Sequence, residues 1–262
     1  MQQASSEPLR YRVEQQVARI HFNRPDALNA LDVPTARGFA QACRAAAGDP
    51  TVRAVVISGE GRAFSVGGDL ACMREDPVDG AALLIDPMHE GIGLLAEMDA
   101  PVVASLAGLV AGGGLGGALA ADLAIAGAGA RFSFAYTQVG VSPDCSTSWQ
   151  LPRVVGLRHA MEIALLGDRL DAEAALRLGL VNRVVPDDAL EQEVDALAQR
   201  LAAGPTRAYG ETRRLLRASF DRPLDVQLDA ERKAFLRCAR TEDFTEGMSA
   251  FFAKRAPWYC GR

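Results

Sequence analysis

Along the chain the spacing of apolar positions changes several times. Residues 10–14 and 16–22 alternate apolar with polar across a short connection, the period of two that turns one face of a hairpin toward a core. Residues 34–47 switch to helical spacing with a proline in the first turn. Residues 52–58 (VRAVVIS) return to a continuous β-rich apolar run, which ends in the glycine-punctuated loop GEGRAFSVGGDL. The succession then recurs: a helix over 78–98, a buried strand over 101–106, a glycine-opened helix over 112–121 and short strands at 122–126 and 131–134. VSPDCSTSWQLPRVVG leads into a helix near Cys145. From Leu157 onward helical segments dominate, broken at Gly167-Asp168, by a VNRVV strand at 181–185, at Gly204-Pro205 and at Arg222-Pro223. Strands alternating with helices predict an α/β fold with a largely parallel sheet and crossover connections. No linker divides it, and the pattern changes from mixed to helical near Leu170.

One stretch raises a membrane question, because residues 100–121 carry no charge over 22 positions and hold small-xxx-small spacing at Gly112/Gly116 and Gly113/Gly117. Pro101, six glycines, the flanking Asp99 and Asp122 and a shortage of Leu, Ile and Phe argue instead for a buried strand followed by a tightly packed helix. The 262 residues carry 28 Lys and Arg against 33 Asp and Glu, a net charge of −5 that gives no basic footprint for nucleic acid. That length suits one large domain, or a core with a smaller appendage. With 49% hydrophobic and 23% charged residues, intrinsic disorder is excluded. Five cysteines without a CxxC pair read as free thiols of a reducing cytoplasm. A cytoplasmic location is expected, since MQQASSEPLR at the start has neither the basic nor the apolar segment of a secretion signal. His21, His89 and His159 stand far apart and outside any HExxH or Cys/His cluster, so no metal site is expected.

The densest chemical signal is GGGLGG at 112–117. It contains GxGxxG at Gly112, Gly114 and Gly117, but four residues separate it from the preceding strand, and the next strand ends in Ala126-Gly127 rather than in an acid that could hold a ribose. Its glycines let a helix pack closely. At a helix start they also leave backbone N–H groups free, where the macrodipole favours an oxyanion. A second glycine loop, at 62–70, follows a β-run in the same way and alone reads as a turn with Asp69 as N-cap. Together the two loops offer amides that can converge on one oxygen, the arrangement that stabilises a thioester enolate or a tetrahedral adduct.

Both loops belong to a set of motifs through which the chain resembles the crotonase family, the enoyl-CoA hydratase/isomerase superfamily. The motifs are NRPDALNALD (23–32), GRAFSVGGDL (61–70), AGLVAGGGLGGALAADLAIA (107–126), LGDRLDAEAALRLGLVNRVVP (166–186) and EGMSAFFAKRAPWYCG (246–261), which together span nearly the whole chain. The resemblance implies a crotonase-like spiral of ββα repeats with a CoA-thioester site over residues 1–195. It further implies a C-terminal helical trimerisation region over 196–262, assembled as a homotrimer or a dimer of trimers. The implied substrate is an acyl-CoA, with no metal, no cofactor beyond the CoA of the substrate, and no nucleic-acid or membrane partner. By position the family's oxyanion hole falls on the amides of Gly68 and Gly113. Asp26, Ala27 and Leu28 fall where the family lines the CoA moiety. Ala63, Ser65, Val66, Gly67, Asp69 and Leu70, with Gly112 and Tyr136, are expected to line the substrate, and Phe252 and Lys254 lie near the place from which a C-terminal helix reaches the nucleotide end.

Departures from the family pattern narrow the chemistry. A typical hydratase carries one glutamate two residues after its GGG, where this chain has Gly116, and a second four residues before a turn glycine, where this chain has Tyr136 before Gly140. Instead GVSPDCSTSW offers Asp144, and FAYTQVGVSPD with SWQLPR resembles the phenylacetate-pathway ring isomerases and Δ3,Δ2-enoyl-CoA isomerases, in which an acid at this position is the base. On the residues alone, Asp144 is as well an N-cap for the helix near Cys145 as a catalyst; the resemblance implies the catalyst. Syn hydration must activate a water and deliver a proton, a task for two carboxylates. Moving a double bond needs one base, which takes a proton from the α carbon and returns it to the γ carbon while the oxyanion hole carries the dienolate. The expected function is therefore enoyl-CoA isomerisation. The alternatives are a hydratase or other acyl-CoA lyase, a thioester hydrolase with Asp144 as nucleophile, and a non-catalytic CoA-binding homologue. Elsewhere, Ser148 and His159 lack the GxSxG elbow of a hydrolase triad, Cys145 reads as a small buried thiol, and Arg213, Arg214 and Arg217 read as a solvated helix face.

Overall fold

The computed structural model describes residues 7–262; the first six residues of the segment read for a leader lie outside the described residues. β1 (Leu9–Glu14) and β2 (Val17–Phe22) form the antiparallel hairpin, turning through Gln15 and Gln16. Both turn residues sit at positive φ, 49° and 66°, as a two-residue turn matched to strand twist requires. α1 (Val33–Gly48) is closed at its start by Asp32, whose carboxylate accepts the Thr35 N–H at 2.9 Å. Then come β3 (Ala54–Gly59), β4 (Ala63–Ser65) and α2 (Pro77–Glu97). β5 (Val102–Leu106), β6 (Leu109–Ala111) and α3 (Gly113–Leu119) repeat the same order. β7 (Leu123–Gly127), β8 (Arg131–Ser133), α4 (Thr147–Val155) and α5 (Leu157–Leu166) follow, and β9 (Leu170–Asp171), α6 (Ala172–Arg177) and β10 (Arg183–Val185) complete both sheets.

After the opening hairpin, the turns β3-β4-α2, β5-β6-α3 and β7-β8-α4 of this spiral each supply one strand to each of two sheets and then a helix. The larger sheet has the order β1-β2-β3-β5-β7-β10, parallel from β2 onward; the smaller has the order β4-β6-β8-β9, parallel except for β8 with β9. Strands of the smaller sheet are only two or three residues long, too short to show an alternation; β8 was expected as a short strand, whereas β4 and β6 read as loop and spacer in the sequence. The uncharged stretch 100–121 becomes β5, β6 and α3. Among the described residues no helix is long and apolar enough to cross a membrane.

The core lies between the sheets and the helices. Phe22 stacks on Phe39 at 5.9 Å and meets Phe64 edge-on at 5.7 Å, joining β2, α1 and β4. α7 (Leu190–Ala202) covers the opposite face of the larger sheet, setting Leu190, Val194, Ala198 and Ala202 at four-residue spacing against Val17, Ala54, Val56, Val103 and Ile125. The boundary expected at 195/196 falls within this helix; the chain is helical from β10 onward, and α7 is followed by α8 (Thr206–Ala218), α9 (Leu224–Cys238) and α10 (Glu242–Ala253).

The arginines of α8 are not the solvated face expected from their spacing. Arg213 is 8% exposed, donates to the carbonyls of Leu95, Met98 and Ala100, and pairs with Asp122 at 2.6 Å. Arg217 pairs with the other oxygen of Asp122, and Arg214 with Asp99. These guanidinium groups satisfy carbonyls at the end of α2 and seat α8 against the core. Their partners lie 95 to 118 residues away, beyond any local pattern. Arg213→Leu strands a buried set of acceptors and is expected to lower the unfolding free energy by about 3 kcal/mol in urea denaturation. A change under about 1 kcal/mol would show that α8 is held by apolar packing alone.

Candidate functional site

Where the smaller sheet gives way to helices, successive turns of the spiral stack. Leu31 bridges in parallel to Gly68: the Leu31 N–H donates to the Gly67 carbonyl at 2.8 Å, and the Asp69 N–H to the Leu31 carbonyl at 3.0 Å. That pattern turns the N–H of Gly68 itself away from Leu31, and the preceding Gly67 lies against Gly112 and Gly113. Gly113 opens α3, so its N–H precedes the intrahelical ladder. Each of these amides follows a glycine at positive φ, Gly67 at 90° and Gly112 at 51°. A Cβ on Gly67 would stand 2.8 Å from the Gly113 nitrogen and 3.0 Å from the Ala111 oxygen, so only glycine permits this approach.

Around the amides the loop is tied down by polar side chains. Asn29 is fully buried; its Nδ2 donates to the carbonyls of Glu60 and Ala63, and its Oδ1 accepts the Arg24 N–H. Ser65 Oγ donates to the Asn29 carbonyl at 2.8 Å and accepts the Gly67 N–H at 3.2 Å. Asp69 caps the single turn Leu70–Met73 through the Ala71 N–H, as expected, and is also held by Arg24 at 3.3 Å. Ala63 and Ser65 are thus buried supports, whereas Val66 is half-buried and Leu70 exposed. Asp26 and Ala27 lie in the turn Pro25–Ala27, with Leu28 at φ 53° closing it. A Cβ on Gly68 would meet Met73 Cε at 3.3 Å and Leu84 Cδ1 at 3.7 Å, an apolar wall on one side of the first amide.

Asp144 stands beside the second amide. A Cβ on Gly113 would lie 3.4 Å from Leu31 Cδ1, 3.5 Å from Cys145 Sγ and 3.8 Å from Asp144 Oδ1. The Tyr136 hydroxyl donates to Asp144 Oδ1 at 2.6 Å and lies 3.3 Å from Thr147 Oγ1. Burial first, then the charge of Asp144, pushes the phenol well above the ordinary tyrosine range, so it serves as a donor. The carboxylate does not cap α4. That helix begins at Thr147 after Ser146 as N-cap, and the Thr147 N–H goes to the backbone carbonyl of Asp144 at 2.9 Å.

The turn that follows is backbone-strained, with Cys145 at φ 48° and Ser146 at φ 60° in succession. His89, from α2, holds it by accepting the Cys145 N–H at Nε2, 3.1 Å away, which puts the proton of the neutral ring on Nδ1. Cys145 is 2% exposed, and burial followed by the neighbouring Asp144 charge raises its thiol, so it remains an inert thiol. Ser148 is exposed and His159 bonds to the Val155 carbonyl, so the two form no dyad. Phe252 and Lys254, on and just after α10, are exposed, and among the described residues neither bonds or stacks with the Gly68, Gly113 and Asp144 group.

Asn29, His89 and Thr147 were not picked out in the sequence. His89 carried one usable signal, a position on α2 directly after Met88 of the buried stripe Leu84, Met88 and Ile92. The glycines of α3 serve packing as well as donation. A Cβ on Gly114 would collide with the Ser65 carbonyl, and one on Gly116 would lie 2.5 Å from Cys145 Cβ, 2.6 Å from its carbonyl oxygen and 2.7 Å from Thr147 Oγ1.

A spiral of paired strands and helices with two amides opposed at its corner is the architecture of a crotonase-type protein. Residues 12–262 match the family model described as enoyl-CoA hydratase/isomerase, and the chain belongs to that family. It is 35% identical over 254 residues to 1,2-epoxyphenylacetyl-CoA isomerase of Escherichia coli K12, covering 95% of this chain and 97% of that protein. It is 34% identical over 249 residues to 2,3-dehydroadipyl-CoA hydratase of the same organism, covering 95% and 97%. The crystal structure of an enoyl-CoA hydratase/isomerase from Mycobacterium abscessus superposes with a TM-score of 0.92 at 39% identity, covering 97% of this chain and all of that one. An isomerase and a hydratase thus stand at nearly equal identity.

Gly116→Ala forces a methyl group into the Cys145 turn. The expected result is a loss of about 1–3 kcal/mol in stability, together with displacement of Asp144. Denaturation and a crystal structure of the variant check it; an unshifted Cys145–Thr147 backbone would show that the turn has slack.

Proposed function

We propose that the protein is an enoyl-CoA isomerase that moves a C=C double bond through an oxyanion-stabilised thioester enolate. What supports this reading is a single carboxylate, Asp144, beside the free amide of Gly113, while the two positions that carry glutamates in a typical hydratase hold Gly116, with no room for a side chain, and Tyr136, a phenol. The thioester oxygen accepts from the Gly68 and Gly113 amides, which drains charge from the α carbon. Asp144 removes an α proton from a 3-enoyl-CoA, the enolate charge settles on the oxygen held by the two amides, and the same carboxyl group returns that proton to the γ carbon. The product is the 2-enoyl-CoA, with no net change in atoms. No separate cofactor or metal takes part, because CoA belongs to the substrate.

In this reading Asp26, Ala27 and Leu28, with the Val66–Leu70 loop, line the pantetheine and nucleotide, and Phe252 and Lys254 approach the nucleotide end. Phe251, Phe252 and Trp258 are 74–79% exposed on or beside α10, an apolar surface suited to a homotrimer or a dimer of trimers. Sedimentation should give a mass of three or six chains, and a monomer would remove the oligomeric part of the proposal. A cytoplasmic site of action accords with five unpaired thiols.

Two measurements test the activity. Chromatography of the products should show 3-enoyl-CoA isomerised faster than 2-enoyl-CoA is hydrated; predominant 3-hydroxyacyl-CoA would sink the isomerase. Asp144→Asn keeps the shape but not the proton affinity, so kcat should fall at least about 10²-fold with little change in melting or in CoA-ester affinity. Normal turnover by the folded variant would move the base elsewhere.

A further inference from the structure

We infer that Tyr136 is a positioning residue for Asp144, its hydroxyl fixing the carboxylate through Oδ1 so that Oδ2 carries the transferred proton. This rests on the isomerase reading, in which one carboxyl group must both remove a proton and return it. A carboxylate on a single χ2 bond presents two equivalent oxygens unless something distinguishes them. Here the distinction is the 2.6 Å bond from Tyr136, a length typical of an O–H donor to a charged acceptor. The weaker neighbour, Thr147 Oγ1 at 3.3 Å, was available to the same hydroxyl, yet the phenol points at the acid. The ring cannot swing away, since it is buried and packs edge-on against Phe134 at 5.1 Å.

Two consequences follow. Oδ1 has a lone pair committed to the phenol, so an arriving proton finds the better site on Oδ2. The phenol bond survives protonation of Oδ2, because a neutral acid still accepts at its carbonyl oxygen. The acid therefore keeps its place between the α and the γ carbon for the second half of the reaction.

Tyr136→Phe tests this. With the fold intact by circular dichroism, kcat is expected to fall about tenfold while KM stays within about twofold. 3-Fluorotyrosine in place of the four tyrosines keeps the shape and the hydroxyl donor and should hold kcat within about twofold of the parent, which keeps the test available if the phenylalanine variant misfolds. An unchanged kcat in the folded phenylalanine variant, or a tenfold loss in the folded fluorinated protein, overturns the positioning role. An inactive Asp144→Asn beside a normal Tyr136→Phe overturns this inference alone, whereas normal turnover in both overturns the isomerase base itself.

Discussion

The contact on which this structure depends is backbone against backbone: the loop at Gly67 lies so close to the start of α3 that a single methyl group would stand 2.8 Å from the Gly113 nitrogen. It exists because the spiral advances by one strand spacing per turn, which places the exit of β4 directly beside the exit of β6. Gly68 and Gly113, each at the exit of a short strand, are thereby brought into the same corner of the fold. A backbone N–H cannot titrate or rotate away, so in the proposed reading the charge-stabilising donors come from the chain path and not from a side chain. The Asn29, Ser65 and Arg24 bonds serve to hold that approach.

Side-chain chemistry enters from one direction only. The turn carrying Asp144 is wedged between α3 and α2, with Cys145 and Thr147 filling the space above Gly116 and His89 tying down the Cys145 amide. Two successive left-handed residues cost roughly 1–2 kcal/mol each, a strain the surrounding packing must offset. The outcome is one carboxylate, hydrogen-bonded by one phenol, next to Gly113 at the start of α3. Fold membership alone leaves hydration and isomerisation open, as the mixed names of the relatives show. The lack of space at position 116 and the phenol at position 136 are the observations on which the proposed isomerase reading rests.

Much of the fold was legible in the chain. The hairpin, the long helices, the parallel strands of the larger sheet and the glycine-rich start of α3 each carry a periodic or capping signal several residues long. Of the smaller sheet only β8 was legible, since strands of two or three residues have no period to read. The arginines of α8 were misread for a related reason. Their helical spacing is the same whether a guanidinium meets water or the carbonyls of Leu95 and Met98.

The sequence by itself determined the class of fold, the two glycine loops, the absence of carboxylates at 116 and 136, and the place of Asp144 in the GVSPDCSTSW segment. These are properties of residue identity and local order. Tertiary structure alone decided that Asp144 is bonded by Tyr136 rather than capping α4, that His89 holds the Cys145 amide and Asn29 the carbonyls of Glu60 and Ala63, and that Gly116 has no room for a side chain. Those facts depend on groups from different turns of the spiral meeting within about 4 Å, and no local pattern encodes which distant backbone will arrive there.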